Sequence, residues 1–440
     1  MSGKAQLAFA GTVDAGATQG QSGTLLLDPK NLTVVSGGTA VLAGNPATLD
    51  FGSTPSADAT VDTAAITSVT NTGTAVVLQA NNDLTVNSII TTSPNGGVPK
   101  GGALTFQAGR SIVVNSAIYS ADGDVTFKFN DTAAQSANRD AGSAVFNNTG
   151  SVDAGSGKVT ITNGGLDASS TLSTGKISSA QLDVTHVGTA TGGVDLGELF
   201  VTGALNVTSN GRDITGNTRS IVNRNVATFN AGSGNITLNN SNSDYSVVSA
   251  IGNNVSVRDQ NAVQLGVSTV AGNLSVATSG AVGSTGIVTV AGTTTINAAS
   301  GGFGAAPSDV TLTNNNNFQG TLNVATDNGS VNVRDVNALA LGSITGANVT
   351  LAAGGNITQS GVYTATGYSN ITTTNGGTVV LDNAGNDFGS YLQVNTAGSA
   401  TFVDKNDLMF GTGASTVAGN LSVTAAGNIS QYNNEYNSAP

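Results

Sequence analysis

The side chains able to do bond-making chemistry are few. The chain has 440 residues, one histidine and no cysteine. A Ser-His-Asp arrangement would have to run through His186, which sits in an ordinary strand-like T-H-V-G context and reads as a surface or coil histidine. No H-E-x-x-H and no cysteine spacing is present, which argues against a zinc site. Enzymes that cleave polysaccharides use clustered carboxylates, so the clustered acids are the next candidates. They are Asp404/Lys405/Asp407, Asp122/Asp124, and Arg258/Asp259 with Arg334/Asp335. The last two pairs occupy the same position of a repeat, which favours a structural turn with a surface ion pair over a single active site. The densest oxygen cluster is D-N-A-G-N-D at 382–387, a calcium candidate that an Asx-turn explains better. No residue is assigned as catalytic, cofactor-binding or metal-ligating, and no cofactor is expected.

Asparagine supplies a second kind of candidate. Asn-x-Ser/Thr recurs at Asn206, Asn235, Asn254, Asn273, Asn348, Asn356, Asn370, Asn420 and Asn428. A turn asparagine followed by an apolar residue and a strand threonine generates that pattern without any modification; glycosylation is the alternative reading of the same sites. Runs such as Thr293-Thr294-Thr295 and Thr372-Thr373-Thr374 raise an ice-binding reading. A flat ice face needs T-x-T in every coil, and the irregular spacing of these runs argues against it.

These residues sit on a repeat. The stretch V-N-V-R-D-V-N-A-L-A-L-G-S-I-T-G-A-N-V-T-L-A-A-G-G-N-I-T-Q at 331–359 has counterparts at 255–280, at 400–431 and, more weakly, at 194–215. The equivalent apolar positions Leu205, Leu274, Val349 and Leu421 recur at a nearly constant step. Tyr245, Phe318 and Phe388, each after an Asn- or Asp-rich turn, keep that step independently. Two markers on one period of about 70–76 residues define an internal repeat. Within it, period-2 apolar alternation restarts near positions 274, 295, 310, 331 and 349, an average spacing of about 19 residues, the size of one solenoid coil. Period 2 belongs to strands with one buried face, and Gly, Asn and Asp separate them. Short strands at this spacing, without helices between, predict an all-β chain. The expected fold is a single-stranded right-handed parallel β-helix, drawn out as an elongated rod of roughly 22 coils, on the order of 100 Å long at about 4.8 Å per coil.

Composition agrees. Hydrophobic residues are 38% and patterned, which excludes disorder for most of the chain, and aromatics at 5% with no Trp suit a thin aliphatic core. A net charge of −12 argues against nucleic acid and anionic lipid, whose recognition needs Lys and Arg. Without cysteine no disulfide framework exists, so stacked sheets must supply the stability.

In chain order, residues 1–22 are an N-terminal segment or first coil. Residues 23–183 form a first β-helical region, with strands around the Asp28-Pro29 turn and a loop at 44–59. A short helix is expected within 61–70, coils at 76–90 and 103–118, a loop at 93–102 and a strand at 125–129. Polar residues 130–150, with Arg139 and Asp140, read as a loop excursion. Residues 184–431 carry the long repeat, about four coils per repeat, and 432–440 form a polar tail.

Three segments together are familiar: G-T-L-L-L-D-P-K-N-L-T-V at 23–34, L-T-F-Q-A-G-R-S-I-V-V-N-S-A-I at 104–118, and the N-A-L-x-L-G … G-N-L-x-V-x-A-x-G-x-I-x-Q repeat. Over about residues 23–431 the chain resembles the filamentous-haemagglutinin-like large exoproteins exported by two-partner secretion. The resemblance implies a right-handed parallel β-helix displayed on a bacterial cell surface as an adhesin, with an outer-membrane transporter as export partner. Of that family's N-P-N-L and N-P-N-G-I secretion motifs only Asn45-Pro46-Ala47 and Pro94-Asn95-Gly96 are echoed, so the chain reads as a stretch downstream of the secretion domain, a fragment of a longer protein. The expected partners are host-cell or matrix glycans and proteins, or other bacterial surfaces. Exposed strand ends add an end-to-end self-association tendency. Rival readings are a β-helix carbohydrate-active enzyme (lyase or glycosidase) and a self-assembling sheath or matrix filament protein.

Overall fold

The computed structural model describes residues 29–40, 47–49, 57–167, 169–187, 192–298, 307–411 and 413–432. They form a right-handed parallel β-helix: short parallel strands wind in coils, and successive coils stack in register. The chain divides into two compact units, residues 1–235 and 236–440. The boundary drawn from sequence at 183/184 lies inside the first of them.

In the first unit the coils from Val76 onward have three strand segments each, while the preceding one has two strands and a helix. Val76–Ala80, Leu84–Val86 and Ile90–Thr91 are one coil; Leu104–Ala108, Ile112–Val114 and Ile118–Tyr119 are the next. Strand follows strand with alternate residues buried, the period-2 pattern of a sheet with one wet face. Register turns that alternation into interior ladders. Val76, Leu104, Val125, Val159, Leu182, Leu205 and Ala227 form one column, each directly above the last. Beside it, Phe106 stacks on Phe127 with ring centroids 5.2 Å apart. The inward side chains are almost fully excluded from water, each Val or Leu contributing roughly 1.5–3 kcal/mol. Coil length varies: the coil from Leu104 to Val125 is short, and the one from Val125 to Val159 is much longer. The long coil contains the expected excursion, but only part of 130–150 is loop: Ala144–Asn148 is a strand in register with Ile112–Val114.

The expected helix is Thr63–Thr70, capped by Asp62, whose carboxylate accepts the Ala64 N–H at 3.0 Å. The strand Leu32–Val34 does not follow the simple stacking order. It lies between Ala59–Val61 and Leu84–Val86, pairing with both. Residues 1–28, most of 44–59 and the tail from 433 lie outside the described residues.

In the second unit the coils are tighter and three columns can be followed. One runs Val255, Leu274, Thr294, Leu322. A second runs Val263, Val282, Val310, Val331, Val349, Ser369, Leu392. A third runs Ile357, Val379, Ala400, Leu421. Most coils are close in length to those from Val331 to Val349 and from Val349 to Ser369, while the coil from Thr294 to Leu322 is longer. The average read from the sequence is therefore near the mark for this unit. Yet the restarts at 295 and 310 lie on neighbouring faces of one coil, not in successive coils. With the longer coils of the first unit, the coil count expected from the sequence is too high.

Candidate functional site

The repeat and the coil are out of phase. The motif strands Val255–Asp259, Val331–Asp335 and Ala400–Asp404 do not stack on one another: Val255 pairs with Ile236 and Leu274, Val331 with Val310 and Val349, and Ala400 with Val379 and Leu421. From Val255, three coils lead to Leu322, and Val331 is the next strand. From Val331, three coils lead through Val349 and Ser369 to Leu392, and Ala400 is the next strand. Each long repeat thus covers three coils and one further strand, not four coils. The motif strand therefore passes from one sheet to the other and back: Val255–Asp259 and Ala400–Asp404 lie in one sheet, joined through the pairing of Leu322 with Leu341, and Val331–Asp335 lies in the other.

The acid shared by the three motif copies is buried. Asp259, Asp335 and Asp404 are 2%, 1% and 3% exposed. Each carboxylate accepts two backbone N–H groups. Oδ2 takes the amide of the aromatic one coil earlier: Tyr245 at 2.7 Å, Phe318 at 2.7 Å and Phe388 at 3.1 Å. Oδ1 takes the amide two positions ahead: Asn261 at 2.8 Å, Asn337 at 2.7 Å and Asn406 at 2.9 Å. Two positions before the aromatic, Asn316 and Asn386 reach the other way. Their Oδ1 atoms accept the amides of Val288 and Tyr363 in the preceding coil, at 2.9 and 3.0 Å. Their Nδ2 atoms donate to the carbonyls of Leu312 and Leu381. Asn, aromatic and Asp together tie three successive coils at one corner. The aromatic marker keeps step with the recurring acid because the two are halves of one clip.

Burial pushes the Asp259 carboxyl up to about 6 despite its two N–H donors, with Asp244 adding like-charge repulsion. Burial likewise raises Asp335. The surface ion pair expected for Arg258/Asp259 and Arg334/Asp335 is absent, because neighbours in a strand point to opposite faces: the acid turns inward and the arginine outward.

In the first repeat His186 stands where the acids stand, as the V-x-L-G and G-x-L-x-V landmarks that follow show. It is 1% exposed, not a surface histidine. Its Nδ1 meets Asn163 Nδ2 at 3.3 Å and its Nε2 meets the Gly192 carbonyl at 3.1 Å, which fits a neutral ring protonated on Nε2. Burial lowers its pKa.

The other sequence candidates also serve the coil corners. Asp122 accepts the Ser156 amide and Asp124 the Lys158 amide, both from the next coil. Lys405 pairs with Asp387 at 3.2 Å, and Asp407 accepts the Asn428 amide at 2.7 Å. Of 382–387, Asn383 caps Gly385 and Asn386 is the clip residue, so these oxygens already hold backbone. Among the described residues no three acids or histidines converge as metal ligands. Several Asn-x-Ser/Thr asparagines are corner staples. Asn254 Oδ1 accepts the Asn273 amide, Asn273 Oδ1 the Thr293 amide, and Asn356 Oδ1 the Thr378 amide. Of the threonine runs, Thr294 and Thr373 point into the core, and Thr295 lies between Ser275 and Asn323, so no threonine face forms.

One groove was not visible in the sequence. It has about 390 Å³ on the outer face of the first unit and is lined by Asn147, Ser173, Asp195, Asp213 and Thr215, among others. Register assembles it, since these residues come from different coils. Asp195 accepts from Ser173 and Thr215, and Asp213 accepts the Asn235 amide.

This architecture defines a solenoid repeat protein. The chain belongs to a family of repeats of unknown function (DUF5649), whose model matches residues 181–251, 252–325, 328–395 and 397–435. The successive matches begin in step with the two sequence markers. No curated protein and no solved structure matches the chain.

Proposed function

We propose that the chain is a non-enzymatic β-helical segment of a secreted bacterial surface protein that mediates attachment to cells, surfaces or matrix. One observation carries this reading: the acids and amides that recur with the repeat are engaged in holding coils together. What the repeats turn outward is a polar surface, presented on both sheets along the chain. Such a surface suits multivalent contact better than turnover of one substrate. The test is attachment of purified protein to cultured cells and matrix-coated wells, with antibody labelling of intact producing cells. Attachment above that of a control protein of equal net charge, with labelling of the outer surface, is expected. Background attachment and no labelling would contradict it.

The Asp195/Asp213 groove favours a second reading, a β-helix carbohydrate-active enzyme with paired carboxylates. Release of reducing sugar from polysaccharides, abolished by Asp195→Asn, would establish it in place of the first.

A further inference from the structure

The outward arginine of the motif leads to a site of its own. Arg334 lies in a cleft of about 340 Å³ on the outer face of the second unit. Directly above it in register stands Ala352, and above that Thr372. The methyl group of Ala352 leaves a gap between the guanidinium and the next coil. Thr372, Thr374, Asn375 and Asn315 complete the polar walls. Arg334 is exposed and, among the described residues, makes no ion pair or side-chain hydrogen bond. Asp335 borders the cleft, but its two oxygens are turned inward onto Phe318 and Asn337. The arginine therefore faces the gap without a counter-charge.

We propose that this cleft is a subsite for one carboxylated sugar unit, held by a forked pair of hydrogen bonds from Arg334 to the carboxylate. Guanidinium and carboxylate match in geometry, and the pair is directional. The hydroxyl of Thr372 and the amide of Asn315 then face the sugar's own hydroxyls, beside Asn375, whose Nδ2 donates to the Gly354 carbonyl. The walls hold no aromatic or large aliphatic side chain apart from Val336, which favours a hydroxyl-rich ligand over a peptide. A net charge of −12 repels long polyanions, so the fitting ligand is a single acidic unit, such as the end of a glycan, and not a polyanionic chain. Arg258 repeats the arrangement, with Ala277 and Asn297 above it, on another face. The third motif has Val403 in that position and lacks the cation.

The proposal rests on the attachment reading and names its ligand class. The test is ligand-observed NMR titration of the intact chain with methyl glucuronide and, as its uncharged twin, methyl glucoside. The glucuronide should bind at least ten-fold more tightly. Arg334→Ala should reduce that difference and Arg334→Ala with Arg258→Ala should abolish it, Arg334→Lys should keep part of it, and Thr372→Val should weaken binding at the Arg334 site several-fold. A short glutamate peptide should bind more weakly than the glucuronide. Equal binding of the two sugars, no effect of Arg334→Ala, or preference for the peptide would overturn the proposal. Surface attachment of the wild type is measured separately. Attachment without glucuronide binding overturns the subsite alone, and absence of attachment overturns the broader reading.

Discussion

Each clip carboxylate joins two amides that the sharp corner leaves without strand partners. Removing an acceptor from a buried donor pair costs about 1.5–3 kcal/mol per charged hydrogen bond. Asp335→Ala should therefore lower unfolding stability by several kcal/mol, read from urea denaturation, whereas the outward Arg334→Ala should change it by less than about 0.5 kcal/mol. The pH dependence follows from Asp259. Its folded pKa of about 6 lies above the ordinary carboxylate value, so the folded state holds the proton more tightly. That contribution to stability is full below about pH 4 and is lost as pH rises through 6. Asp259→Asn should flatten that part of the stability profile, measured as urea midpoints from acid to neutral pH. The sequence showed these acids recurring but could not show which way they face. Recurrence fits a surface pair and a buried clip alike, and only the alternation of neighbours in a strand separates them. His186 was misread for the same reason: its T-H-V-G context looks like any strand, and its burial follows from its place in the repeat.

Coils are held apart at their corners by backbone alone at certain points. Gly175 has φ +58°, and a Cβ there would lie 1.9 Å from the Asn148 carbonyl oxygen of the coil below. Both the left-handed backbone and the contact exclude a side chain. Gly175→Ala should destabilise the first unit by more than about 2 kcal/mol, the upper end of what strain in the left-handed region alone costs. A fall of several degrees in thermal midpoint would report it. Individual strands were legible because alternation needs only neighbouring residues: coils at 76–90 and 103–118, the strand at 125–129 and the helix within 61–70 all match. Register was not legible. It depends on how many residues each corner takes, and coils as unequal as Val331 to Val349 and Val125 to Val159 follow from loops whose length no periodicity encodes. For that reason the Asp195/Asp213 groove and the Arg334 cleft, both built across coils, could not be read in advance.

For the molecule as a whole, the offset between repeat and coil has a consequence for modular change. Deleting 255–330 joins Asn254 to Val331 and puts one motif strand where its equivalent stood. All later strands then shift together, and Asp335 meets the Tyr245 amide in place of that of the deleted Phe318. That deletion should still unfold cooperatively, whereas removing 263–273, part of one coil, should not give a folded second unit. Circular dichroism melts distinguish the two. The central claim is that neighbours in space are one coil apart and not one repeat apart. Because the chain has no cysteine, engineered pairs test it without background. In oxidised protein Thr350→Cys should cross-link with Asn370→Cys, its register partner, while Arg258→Cys and Arg334→Cys, equivalent in the repeat, should stay reduced. Cross-linking of the arginine positions, with none between 350 and 370, would contradict it.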